Sequence, residues 1–196
     1  MEYSPERIVF NRELSNLDEL VLQFAEIMHQ QKINYVIISG YIAILFGRAR
    51  NTIDVDLFIE KINNETMKRW WNELYSNDFE CINAADPDDA LEGLQEGIAL
   101  RFCQKGKPEP NFEIKFANSE YNQYSLRKKV LVLLKGKPLY TSEIELQIAY
   151  KIYLGSDKDY EDARHLFTLF KEKIDMNLLS YHLQELGVKK KAERVL

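Results

Sequence analysis

The chain has 196 residues, 45% of them hydrophobic and 29% charged, with a net charge of −5. That length supports a sizeable core, as one domain or as a domain with a helical appendage. The acidic balance argues against a strongly basic nucleic-acid surface but leaves room for a local basic groove. The opening Met-Glu-Tyr-Ser-Pro-Glu-Arg lacks a basic-then-apolar leader, and no apolar run reaches membrane-spanning length. No membrane association is expected, and the cytoplasm is the expected location.

Ser15-Asn-Leu-Asp18 reads as a capping box, followed by Leu17, Leu20, Val21, Phe24, Ile27 and Met28 at helical spacing, so a helix is predicted to about Gln31. Tyr35–Ile38 is β-branched and predicts a buried strand, 40–47 a short helix bounded by glycine, and 53–59 a second strand. Residues 64–76 predict an amphipathic helix with Met67, Trp70, Trp71 and Leu74 inward. Asp86-Pro87-Asp88-Asp89 is a helix start. Residues 98–103 and 112–117 predict strands flanking a turn at Gly106-Lys-Pro-Glu-Pro110, and 130–134 another strand or hairpin arm. From Thr141 the pattern turns helical. Ser142-Glu-Ile-Glu145 reads as a second capping box, Ile144, Ile148, Ala149 and Ile152 form an inward stripe, and two helices follow over 157–170 and 175–186. Lys189-Lys-Lys191 suits a helix end or a solvated tail. The division expected is an α/β module over 1–138 and a helical region over 139–196.

Residues 35–60 carry most of the chemical information. Ser39-Gly40 lets a phosphate approach backbone N–H groups at a helix start, although a glycine after a strand is also an ordinary turn. Asp54 and Asp56 sit two apart on an apolar strand and so project from one face, roughly 6–7 Å apart. Paired carboxylates there repel each other unless a cation or donors compensate. Magnesium prefers such oxygen ligands together with substrate phosphates and water, while a solvent-facing strand is the alternative. Glu113, on another predicted strand, can bring a third carboxylate, and three acids can hold two metal ions. Arg48 and Arg50 can grip phosphates or pair with acids. Lys151 offers a point charge, and Asp159 and Asp162 share a helix face. Cys81 and Cys103 fit no metal or redox spacing and read as free thiols. His29, His165 and His182 do not cluster, and no P-loop or dinucleotide fingerprint is present.

Together, Ser39-Gly40 and Gly47-Arg48-x-Arg50-x-Thr52-x-Asp54-x-Asp56 resemble the signature of the polymerase-β-like nucleotidyltransferase superfamily: a small turn, a helix, then two acids separated by one residue. Within it the chain is similar to the nucleotidyltransferase toxins of abortive-infection (type IV) toxin–antitoxin systems, which carry an Arg-x-Thr-x-Asp-(Ile/Val)-Asp stretch and a later helical Lys with a Lys/Arg-Asp-x-x-Asp segment. Lys151 and Lys158-Asp159-Tyr160-Glu161-Asp162 match that later part, so the resemblance covers roughly 33–170. It implies that Ser39 and Gly40 hold nucleotide phosphates, with Arg48, Arg50 and Thr52 among the nucleotide-binding residues. It further implies that Asp54 and Asp56 bind Mg2+, that Glu113 is the third acid activating an acceptor hydroxyl, that Lys151 contacts the triphosphate, and that Asp162 orders the helical part. The turn departs from the usual Gly-Gly or Gly-Ser, and Glu113 stands where Asp is commoner.

The expected fold is α+β, a short mixed sheet with flanking helices and a C-terminal helical bundle. The expected function is Mg2+-dependent transfer of NMP from an NTP to an acceptor hydroxyl on RNA, protein or a small molecule, with two ions able to take part and an antitoxin as a further partner. The alternatives are a degenerate nucleotide-binding protein, a toxin–antitoxin interaction protein, and an interaction module built on the C-terminal helices.

Overall fold

The structure is a computed structural model describing residues 1–196. Nine strands form one mixed sheet: β1 (Glu2–Ser4), β2 (Arg7–Phe10), β3 (Tyr35–Ile38), β4 (Asp54–Ile59), β5 (Phe79–Cys81), β6 (Leu100–Gln104), β7 (Lys107–Phe116), β8 (Val130–Leu134) and β9 (Lys137–Thr141). Their spatial order is β1-β2-β8-β9-β3-β4-β7-β6-β5. The parallel neighbours are β2 with β8, β3 with β9, and β4 with β7; the others are antiparallel. With helices on the sheet and more helices at the C-terminus, the architecture is the α+β one the sequence predicts.

The helices are α1 (Asn16–Gln30), α2 (Gly40–Leu45), α3 (Asn64–Ser76), α4 (Pro87–Glu96), α5 (Glu120–Arg127), α6 (Ile144–Leu154), α7 (Asp157–Phe170), α8 (Met176–Glu185) and α9 (Lys189–Val195). The Ser15 capping box closes both ways, and Asp18 also takes a bidentate grip from Arg12 and a bond from the Tyr41 hydroxyl. This fully buried carboxylate thereby ties α1 to α2, and the bonds from Arg12, Ser15 and Tyr41 outweigh burial to hold its pKa below the usual range. Strand alternation then divides the sheet into two surfaces. Val55, Leu57 and Ile59 of β4 are buried, as are Phe112, Ile114 and Phe116 of β7, and Phe24 of α1 stacks on Phe112 at 3.9 Å. The intervening residues of β4 and β7 are left for the other face.

Several predicted details shift. Ser142 is no N-cap: its hydroxyl donates to Gln147 Oε1, Glu143 occupies the cap, and the Glu145 carboxylate accepts from the Asp175 amide. Burial explains this, because a buried Ser142 takes a side-chain partner from within the core. The expected turn at 106–110 is shorter, since β7 already begins at Lys107. The β1–β2 hairpin, β5 and α5 have weak local patterns and acquire order from pairing and packing. The Lys189-Lys-Lys191 run opens α9, whose Ala192 and Val195 are buried. The boundary expected near 138 falls inside β9, and one continuous core includes residues from both sides of it.

Candidate active site

Asp54 and Asp56 lie on the face of β4 turned away from Val55 and Leu57. The parallel pairing of β4 with β7 sets Asp56 opposite Glu113 and Asp54 opposite Asn111. Carboxylate oxygens of Asp54, Asp56 and Glu113 can all lie within 4.8 Å of one another. The two strands are far apart in sequence, so this register is what assembles the trio. The three acids are half-buried, and they are not equivalent. Burial, then the charges of Asp54 and Glu113, push the Asp56 carboxyl up to about 6, against a smaller opposing effect of the Ser39 hydroxyl. Glu113 is also raised by burial, but hydrogen bonds from Lys115 (2.7 Å) and Arg101 (3.0 Å) outweigh that and hold it below its ordinary value. Thr52 donates its hydroxyl to the Asp54 carboxylate at 3.2 Å and to the Asp54 carbonyl at 2.9 Å.

β3 ends beside Asp56, because Ile38 is its antiparallel partner. The chain then turns through Ser39 at φ 65° into α2. A non-glycine residue there is strained by roughly 1–3 kcal/mol and persists only where the surroundings enforce it. Gln147 of α6 does so: its Nε2 donates to the Ser39 carbonyl at 2.9 Å, and its Oε1 accepts from the Ser39 amide at 3.3 Å. Gly40 makes room for a different reason, since a Cβ there would come within 3.1 Å of the Arg50 guanidinium and oblige it to shift by a few tenths of an ångström.

Arg48, Arg50, Lys151 and Asp162 come together, but around the carboxylate of Asp162 rather than in the cavity. Asp162 is fully buried and pairs with both arginines, and Lys151 Nζ lies 3.0 Å from it and 2.8 Å from Asp159. Lys151 is itself only 3% exposed. Arg48 also pairs with Glu161 and donates to the Lys158 carbonyl. This network fastens the 47–53 connector to α7.

Asp56 and Glu113 open on a cavity of about 350 Å3 also lined by Ser39, Lys115, Asn122 and Tyr150. A wider cleft of about 710 Å3 borders the other side of the connector at Arg50, Asn51, Thr52 and Lys107. Arg101, Gln147 and Asn122 escaped the sequence reading, and Lys115 and Tyr150 receive no site role in it. Only Lys115 had a usable signal, its same-face spacing from Glu113. The histidines stay apart: His29 meets Tyr35, His165 the Phe46 carbonyl, and His182 the Glu143 carboxylate.

The donor set suits a hard divalent cation, which takes carboxylate and carbonyl oxygens. Asp56 has no hydrogen-bonded cation, and Asn111 Oδ1, on the residue in register with Asp54, is buried without a partner.

No protein-family model matches the chain, and no curated protein matches it by sequence. Solved structures do match. ANT(2'')-Ia in complex with adenylyl-2''-tobramycin superposes with a TM-score of 0.59 at 13% identity, covering 90% of this chain and 99% of that one. An antigenic nucleotidyltransferase-like protein from Paracoccidioides brasiliensis gives 0.53 at 18% identity, covering 90% of each chain. JHP933 from Helicobacter pylori gives 0.50 at 17%, covering 93% of this chain and 78% of that one. The fold is thus that of nucleotidyltransferase-like proteins. No helix is long and apolar enough to cross a membrane.

Proposed function

We propose that the protein transfers a nucleoside monophosphate from a nucleoside triphosphate to an acceptor hydroxyl, releasing pyrophosphate, with Mg2+ held by Asp54, Asp56 and Glu113. The observation that carries this reading is the trio of carboxylates within 4.8 Å, two of which, Asp56 and Glu113, line a cavity beside the strained Ser39 turn. Bound divalent cation, one ion or two, supplies neutralisation of charge on the phosphoryl oxygens. The chain's own residues do the positioning, which is most of what phosphoryl transfer asks of a protein. Gly40 presents its backbone N–H to the phosphates, Ser39 shapes the turn while its own amide stays on Gln147, and Thr52 orients Asp54. Arg48, Arg50, Lys151 and Asp162 fix the connector from which Asp54 and Asp56 emerge, and serve nucleotide binding through that placement. Glu113 is ionised at neutral pH, the form that ligates a cation or receives a hydroxyl proton.

The acceptor is RNA, a protein or a small molecule. ANT(2'')-Ia, solved with an adenylylated tobramycin, exemplifies the last. Action in the cytoplasm and control by an antitoxin belong to the same proposal, the latter resting on the sequence resemblance alone. Nucleotide binding without transfer is a second reading, favoured by the ion pairs of Glu113 with Lys115 and Arg101, which lower its basicity. Incubation with α-labelled NTPs, Mg2+ and separate RNA, protein and small-molecule acceptor pools tests the proposal. Labelled product is expected from one pool. Asp54→Asn and Asp56→Asn are expected to reduce it by more than the roughly 10–100-fold that loss of an outer partner costs a metal site. Full activity in either variant refutes the assignment, and tight nucleotide binding with no product in any pool supports the second reading.

A further inference from the structure

Five cations were candidates for substrate phosphates or lie beside the acids, and they differ in availability; Arg101, on the neighbouring strand, pairs with Glu113 but does not line the 350 Å3 cavity. Arg48, Arg50 and Lys151 all pair with the fully buried Asp162. Drawing one of them away to a ligand weakens the compensation of a buried carboxylate, which is unfavourable. Lys115 is different. It is 46% exposed, lines the 350 Å3 cavity, and shares the sheet face of Glu113, two residues along β7. Its one carboxylate partner is Glu113 Oε1, while Arg101 holds Glu113 Oε2 from the neighbouring strand. Glu113 therefore stays paired when the lysine departs.

We propose that Lys115 is the phosphate-binding cation of this cavity, resting on Glu113 until a nucleoside triphosphate enters and then pairing with a phosphate oxygen. The proposal rests on the nucleotidyl-transfer reading above. The physical driver is competition for Glu113. A divalent cation held by Asp54, Asp56 and Glu113 would compete with the Lys115 ammonium for Glu113, and the polyphosphate would offer Lys115 a replacement anion in the same cavity. An extended, flexible lysine with three donors can make this exchange without rearranging the sheet. Lys115 thus supplies a mobile positive charge that the enclosed Lys151 does not.

The test uses the 196-residue chain, Lys115→Met and Lys115→Arg, with calorimetric titration of Mn2+ alone and of the four α,β-methylene nucleoside triphosphates in Mg2+. Lys115→Met is expected to bind Mn2+ at least as tightly as wild type, because Glu113 loses a competitor. It is expected to bind the preferred analogue about tenfold more weakly, the loss of one charged hydrogen bond. Lys115→Arg is expected to stay within about threefold, since it keeps the charge on a similar reach. A merely structural lysine would weaken both ligands together and lower the melting temperature, and that result overturns the proposal. Equal analogue affinity in wild type and Lys115→Met overturns it while leaving the nucleotidyl-transfer reading intact. No analogue binding by wild type overturns both.

Discussion

Asp56 bears the heaviest electrostatic load in the site. Its carboxyl titrates near 6 in the fold against an ordinary value of 3.8, raised by burial first and then by Asp54 and Glu113. Between those values the native state holds a proton that the unfolded chain has released. Stability contributed at this residue is therefore greatest in acid, declines as pH rises from about 4, and is lost by the time pH passes about 6. In the absence of divalent cation, Asp56→Asn is expected to raise unfolding free energy at pH 8 by about 1–3 kcal/mol. Near pH 4 the gain is expected to vanish, and urea melts at the two pH values check both. Proton and metal compete for the same oxygens, so the increase in melting temperature caused by Mg2+ should fade below about pH 6. Ser39 offers a paired test. Ser39→Gly relieves a positive φ, so melting temperature is expected to hold or rise by the equivalent of about 1 kcal/mol. Loss of the hydroxyl that lowers Asp56 should move the pH midpoint of Mg2+ binding upward. These residues were legible from sequence because strand alternation and a glycine turn are local patterns. The strain at Ser39 was not, since its enforcer Gln147 is 108 positions away.

At the level of elements, the joint between the 47–53 connector and α7 depends on Asp162. Asp162→Ala strands Arg48, Arg50 and Lys151 around an empty carboxylate position, and a cost of about 3–5 kcal/mol is expected in chemical denaturation. Arg48→Ala leaves Asp162 with two cations, and a cost of about 1 kcal/mol is expected. A denaturation midpoint for Asp162→Ala equal to that of Arg48→Ala would contradict the hierarchy. The same four residues drew attention in the sequence as a nucleotide-binding set. Their types were readable, but their mutual pairing across 112 to 114 positions was not. The two capping boxes make a similar contrast. Ser15 and Asp18 form theirs because both partners lie within one helical turn. Ser142 fails to form its own because a buried hydroxyl answers to the core around it, where Gln147 is the available acceptor.

Across the whole molecule, the sheet is continuous from the N-terminal hairpin to β5, and its far edge protects the rest. Ile8 on β2 is fully buried, and β2 covers β8 by parallel pairing. Ile8→Ala is expected to cost about 2–5 kcal/mol in a urea melt. Removing residues 1–11 is expected to expose the β8 edge and promote self-association, visible by light scattering. Neither the 350 Å3 cavity nor the 710 Å3 cleft is lined by these residues, so the proposed nucleotide binding by the folded fraction should persist. The sequence by itself determined the elements with strong local periodicity, the face shared by Asp54 and Asp56, and the glycine turn preceding them. Those features depend on backbone geometry over a few residues. Tertiary structure alone decided that Glu113 joins the pair, that Lys115 rather than Lys151 opens on the cavity, and that Gln147 holds Ser39 in place. Each depends on strand register or helix packing between distant segments, and core burial selects those arrangements only once the whole sheet has formed.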